Sequence, residues 1–330
     1  MINRKTVFVL GAGAHIPYGF MDGSGLIKAI LAALPAPPHY GTNDFSGRFF
    51  DIHDHRVSVP RDTLAHFRTA LNLGGHTSID SFLATHAKRT GFTDIGKFAV
   101  AYRLLPLEFQ HAWLREPHDG DWMTFLFESM LHGCLNSVDD FLQNNDVDFV
   151  TFNYDRTFED FLCTRLAHTY NLTPAIAWEK AKKFSVVHVY GSLGEFDPSI
   201  ITSKRPAVTP FNSSQLLVAA SSIRLMYDDR TDHSGVSRAN ELISSAHCVC
   251  FLGFGFDPDN IARVKLNECC MGALRGGGVF ATRYKMKVGD WNRIVNNMAP
   301  THLNAAPEHF ERHSSEWDCL EFLHQTAALG

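Results

Sequence analysis

Residues Thr6 to Phe20, Thr-Val-Phe-Val-Leu-Gly-Ala-Gly-Ala-His-Ile-Pro-Tyr-Gly-Phe, constrain the fold more than any other stretch of the chain. Val7, Phe8, Val9 and Leu10 form a short apolar run with β-branched and aromatic members, the pattern of a strand covered on both faces. Gly11 and Gly13 follow at once, and without a Cβ they let the backbone bend sharply and approach a ligand. With Ala12 and Ala14 they make a turn suited to a nucleotide pyrophosphate. A dehydrogenase fingerprint has a third glycine where this chain has Ile16, followed by Pro17, so an ordinary hydride-transfer domain is disfavoured.

A helix is predicted next, because Leu26, Ile27, Ile30, Leu31 and Leu34 recur at helical spacing until Pro35 and the Pro37-Pro38 pair. From Pro38 to Val59 the composition turns polar and loses its period, which reads as a long loop. Residues 62–145 read as mostly helical. Their stripes are Ile79, Phe82 and Leu83, then Phe98, Ala101, Leu104 and Leu105, with a break or kink expected at Pro106, and then one running from Trp122 to Leu142.

The strand-helix pattern resumes at Val147. Val147, Phe149, Val150 and Phe152 form a strand whose end, Thr151-Phe152-Asn153-Tyr154-Asp155, opens onto a site, and a helix with Phe158, Phe161, Leu162 and Leu166 follows. A further strand from Phe184 to Val189 runs into Tyr190-Gly191-Ser192, and its alternation predicts that His188 and Tyr190 share one face. Thr202 to His233 reads as irregular. A helix with Ala239, Leu242 and Ile243 leads to the strand Cys248 to Leu252, which ends in a second glycine-rich turn, Gly253-Phe254-Gly255-Phe256-Asp257-Pro258-Asp259-Asn260, suited to a ribose and its hydroxyls. A last strand is predicted within Gly276 to Thr282, and a closing helix over Trp317 to Leu323.

The pattern predicts an α/β fold, a Rossmann-like doubly wound parallel sheet with an inserted helical subdomain. Residues 1–35 and 146–330 would form the sheet domain and residues 36–145 the insertion. A net charge of -5 gives no bulk basicity for nucleic acid, so none is expected as a direct partner. No apolar stretch reaches the ~18 residues of a membrane span and no signal peptide stands at the N-terminus, so a soluble cytoplasmic protein is expected. No Cys-x-x-Cys pair exists among the 7 cysteines, so no metal is expected and reduced core thiols are.

Four segments in order resemble the sirtuin-like (Sir two) superfamily: Gly11-Ala12-Gly13-Ala14, Thr151-Phe152-Asn153-Tyr154-Asp155-Arg156, His188-Val189-Tyr190-Gly191-Ser192-Leu193, and Gly253 to Asn260. The likeness is to the bacterial anti-phage branch of NAD hydrolases, and Ser78-Ile79-Asp80-Ser81-Phe82-Leu83 resembles the start of that branch's helical insertion.

The resemblance implies hydrolysis of NAD+ to ADP-ribose and nicotinamide, with NAD+ as substrate, in abortive infection. It implies that Asn153 positions the nicotinamide ribose and attacking water, that Asp155 supports that geometry, and that His188 is the base. An imidazole, titrating near ~6.5 when free, suits that task. Gly11, Ala12, Gly13, Ala14, His15, Thr151, Tyr190, Gly191, Ser192, Gly253, Gly255, Asp257 and Asn260 would bind the dinucleotide. Two positions depart from the family. Tyr190 stands where many members have histidine, and His15 replaces a serine, where it can touch phosphate, cap the helix or approach the ribose. Protein-deacylating sirtuins carry paired Cys-x-x-Cys zinc motifs that this chain lacks, so deacylation is the weaker alternative and a non-catalytic NAD or ADP-ribose sensor the stronger. Because uncontrolled NAD hydrolysis poisons a cell, restraint through a homo-oligomer, a lid or a HerA-type ATPase partner is implied.

Overall fold

The computed structural model describes residues 1–34, 61–109, 119–134, 136–201, 213–225, 234–276, 278–298 and 314–326. At its centre lies a six-stranded sheet: β1 (Thr6–Leu10), β2 (Val147–Thr151), β3 (Val186–His188), β4 (Cys248–Leu252), β5 (Val279–Thr282) and the two-residue β6 (Ser314–Ser315). Every neighbouring pair is parallel. The order β3-β2-β1-β4-β5-β6 is that of dinucleotide-binding Rossmann sheets, with the reversal between β1 and β4. In this order the right-handed crossovers usual for parallel strands place the helices of the two halves on opposite faces, in keeping with β1 and β4 being buried along their whole length.

Leu10 pairs with both Thr151 and Leu252, so β1, β2 and β4 end level. The turns that follow them therefore meet above one edge of the sheet.

Between β1 and β2 the chain forms a 3-10 segment (Ala12–Tyr18) and helices α1 (Gly23–Ala33), α2 (Arg61–Leu73), α3 (Ile79–Thr85), α4 (Phe92–Phe109), α5 (Trp122–Leu131) and α6 (Val138–Gln143). Phe67, Phe82, Phe98 and Trp122 from these helices belong to the same buried cluster as Phe8 and Phe251 of the sheet. Pro106 does not end α4, which runs on to Phe109. The stripe from Trp122 to Leu142 is two helices, because the chain turns at Gly133 with φ +78. The loop expected from Pro38 to Val59 lies outside the described residues.

After β2 come α7 (Thr157–Thr169) and α8 (Pro174–Ala181); after β3, α9 (Ser213–Ser222) and α10 (Ser234–Ser245); after β4, α11 (Pro258–Arg263), α12 (Leu266–Cys269) and α13 (Met271–Arg275). α14 (Val288–Met298) follows β5, and α15 (Cys319–Gln325) follows β6. No helix among the described residues is long and apolar enough to cross a membrane. The 7 cysteines are buried and unbridged, and burial pushes the Cys248 thiol up to about 11.

Candidate active site

The turn after β1 is held by its own backbone and by α5. Gly11 N–H donates to the Leu252 carbonyl at 3.0 Å, Gly13 N–H to the Gly253 carbonyl at 2.9 Å, and Ala14 N–H to the Gly11 carbonyl at 3.0 Å. A Cβ on Gly13 would stand 2.7 Å from the Gly253 oxygen, and one on Gly253, where φ is +56, would stand 1.9 Å from the Ala14 nitrogen. These glycines thus pack the turn after β1 against the turn after β4, and the N–H groups of Gly11 and Gly13 are spent on that contact instead of being free for a phosphate. Trp122 Nε1–H donates to the Ala14 carbonyl at 2.7 Å, and the Tyr18 hydroxyl donates to Asp121 and accepts from Met123 N–H. His15 sits within this clamped turn.

His15 Nδ1 lies 2.9 Å and 3.1 Å from the two carboxylate oxygens of Asp155. Both side chains are nearly inaccessible, at 2% and 4% exposure. Burial works to raise the Asp155 carboxyl, but the His15 ring and Thr157 outweigh it and leave its pKa below the usual carboxylate range. Asp155 is therefore ionised and only accepts, so Nδ1 carries the hydrogen. In the neutral ring the lone pair then sits on Nε2, a buried atom with no hydrogen-bond partner among the described residues. Asp155 also accepts from Thr157 N–H at 3.2 Å, which ties the pair to the first turn of α7.

Asn153 completes the group. Its side-chain N–H donates to the Gly11 carbonyl at 3.2 Å and lies 3.3 Å from His15 Nδ1, while its own N–H donates to Thr151 Oγ1 at 3.0 Å. Ala12, His15, Asn153 and Asp155 line one cavity with Asp22, Ser78, Asp80 and Tyr154. At about 80 Å³ it falls below the ~300 Å³ where sites for drug-sized ligands begin, so it has room for a small ligand or one part of a larger one. Burial pushes the Asp80 carboxyl above its ordinary range, against the Tyr154 hydroxyl that donates to it.

His188 does not join this cavity. Its Nδ1 is 2.8 Å from the backbone carbonyl of Asn153 and its Nε2 is 2.7 Å from Glu159 Oε1 on α7. Burial works to lower its pKa, but the Glu159 carboxylate and the Asn153 carbonyl outweigh it and leave the pKa raised, with both ring nitrogens engaged. His188, expected from the resemblance as the base, thus has its ring nitrogens on Asn153 and Glu159 and lies outside the cavity that His15 lines.

Tyr190 departs from its expected place as well. β3 ends at His188 and the chain turns, so the two side chains do not share a strand face. The Tyr190 hydroxyl donates to Asn260 Oδ1, and its ring packs edge-on against Phe152. Gly191, at φ +68, turns the chain past Ser222, and Ser192 Oγ donates to the Gly194 carbonyl at 2.8 Å. Asp257 caps α11 by accepting from the N–H groups of Asp259 and Asn260, and nothing lies within 4 Å of where a Gly255 Cβ would be. None of Tyr190, Gly191, Ser192, Gly253, Gly255, Asp257 and Asn260 lines the cavity. Arg156, beside Asp155, is taken up by Glu108, with Nη2 2.6 Å from Oε2, and by the Glu195 carbonyl.

Comparisons with protein-family models, with curated proteins and with solved structures found no match. Function is therefore argued from the site itself.

Proposed function

We propose that the chain hydrolyses NAD+ to ADP-ribose and nicotinamide, with His15, Asp155 and Asn153 at the reacting end. One observation carries the reading: a buried imidazole, oriented by a buried carboxylate and with no Nε2 partner among the described residues, lines a small cavity at the C-terminal edge of a Rossmann-ordered sheet. Water attacks the anomeric carbon as the C–N bond breaks, and nicotinamide leaves neutral with the bonding pair. His15 Nε2 takes the proton of that water, and the Asp155 carboxylate steadies the imidazolium that results. Asn153 fixes the geometry of the sugar and water. The helices between β1 and β2 act as an inserted cover, since α1, α3 and α4 supply Gly23, Leu26, Ile79 and Leu104 to the cavity wall. The sirtuin-like resemblance extends the proposal to a cytoplasmic anti-phage effector, a homo-oligomer restrained by a HerA-type ATPase.

A second reading, a subunit that holds NAD+ or ADP-ribose without turning it over, is favoured by His188 having both ring nitrogens engaged away from the cavity. Nicotinamide release from NAD+ separates the two. It is measured on the wild type, His15→Ala, Asn153→Ala and His188→Ala, alone and with a HerA-type ATPase. Hydrolysis is supported by turnover that needs His15 and Asn153. Bound NAD+ with no turnover under either condition replaces it with the sensor.

A further inference from the structure

The cavity beside His15 has a chemical bias. Among the described residues its polar lining consists of Asp22, Asp80, Asp155, Ser78, Tyr154, Asn153 and His15, with no lysine or arginine. Such a wall repels phosphate and favours a ligand part that donates hydrogen bonds. His15 is 2% exposed and its Nε2 has no partner among the described residues, so they leave a buried polar atom of the wall still to be satisfied.

Asp80 is fixed in this wall from two sides. Ser78 caps α3 through its hydroxyl, which accepts from Ser81 N–H at 3.1 Å, and a Cβ on Gly23 would meet the Thr77 carbonyl at 2.9 Å, so the starts of α1 and α3 are packed backbone to backbone. From the other side, the Tyr154 hydroxyl donates to Asp80 Oδ1. Tyr154 lies between Asn153 and Asp155, so the same turn places both His15's partner and Asp80's. A carboxylate offers about four lone-pair sites, and the bonds from the Tyr154 hydroxyl and from Asp80's own backbone N–H leave acceptor capacity for a ligand.

We propose that Asp80 contacts substrate, accepting hydrogen bonds from the vicinal hydroxyls of the ribose whose anomeric carbon faces His15, and that Tyr154 is its positioning residue. The inference rests on the proposed reaction at this site and names the part of the substrate the cavity receives. The phosphates and the adenosine lie outside this acidic pocket.

The test uses Asp80→Asn, which keeps the shape and an acceptor for Tyr154, and Tyr154→Phe. Each is assayed with NAD+ and with NAD+ lacking the 2′- or 3′-hydroxyl of the nicotinamide ribose, and ADP-ribose binding is measured by calorimetry. Both variants should lose roughly 10- to 100-fold in kcat/KM on NAD+, the range for a hydrogen bond to a charged group. The loss should shrink several-fold on one deoxy substrate, because the partner is already missing. A structural role for Asp80 would lower Tm and depress all substrates equally, and that result overturns the proposal while leaving hydrolysis standing. If the wild type turns nothing over, ADP-ribose binding decides. Weakening by Asp80→Asn supports the contact even though hydrolysis has failed, and unchanged or absent binding rejects it.

Discussion

His188 donates from Nδ1 to the backbone carbonyl of Asn153 across 2.8 Å, and so braces the turn that carries Asn153 without sharing its cavity. The other ring nitrogen is 2.7 Å from Glu159, and the pair is almost wholly enclosed, at 10% and 8% exposure. The raised pKa of His188 makes this brace pH-dependent. Unfolded, the ring titrates near ~6.5. The stabilisation is fully present below that value and is lost as pH rises through the higher folded value. Glu159→Gln should cost about 1–3 kcal/mol at pH 6, and the gap to wild type should narrow as pH climbs past the folded pKa. Urea unfolding at a series of pH values checks this, and a gap constant across the series would sink it.

The Asp155 carboxylate fixes which His15 nitrogen is protonated. Asp155→Asn removes that preference, because an amide can turn its NH2 toward Nδ1 and move the ring hydrogen to Nε2. The proposed hydrolysis should then drop by roughly 10²- to 10⁴-fold in kcat, with KM changed far less. Steady-state nicotinamide release measures both constants. Activity within about threefold of wild type would remove His15 from the role of base.

Much of the sheet was legible because fully buried parallel strands are written as continuous apolar runs. Cys248 to Leu252 appears in the structure with the bounds its sequence suggests, and β1 differs only by Thr6. The order of the strands was not legible, since nothing local in the sequence encodes which strand lies beside which. The failure at β3 has a specific cause. Period-two alternation holds only while the strand lasts, and here it ends at His188, with Arg224 N–H donating to the Tyr190 carbonyl in the turn beyond. Glu159, which works to raise the His188 pKa, lies 29 positions away on another element, out of reach of any local pattern. His15 was visible as a departure from a motif, but its pairing with Asp155 spans 140 positions. α14 is a different case, because Trp291, Ile294, Val295 and Met298 have helical spacing that the sequence did display.

Glycines that look alike in the sequence should respond differently to alanine. Gly253 has φ +56 and no room, since its Cβ would fall 1.9 Å from the Ala14 nitrogen, whereas Gly255 has nothing within 4 Å. Gly253→Ala should destabilise by more than about 4 kcal/mol or fail to fold, and Gly255→Ala should stay within about 1 kcal/mol of wild type. Equilibrium denaturation of the pair is the check. Equal stability of the two variants would mean that the contact between the turns after β1 and β4 does not govern the fold there.

Trp122 connects α5 to the chemistry of the turn. Its Nε1–H is the donor to the Ala14 carbonyl at 2.7 Å, one residue before His15, and its ring lies parallel to those of His15 and Phe158. Trp122→Phe keeps a ring but leaves the buried carbonyl without that donor, at a cost of about 1–3 kcal/mol in stability. Because the turn loses a tether rather than a substrate contact, kcat should fall while KM for NAD+ holds. A misplacement near 1 Å of a reacting group costs roughly 10²-fold. Stability and kinetics measured on the same preparation separate the two effects. A variant that is less stable yet keeps full kcat would show that His15 is held by Asp155 alone and that Trp122 serves only the core.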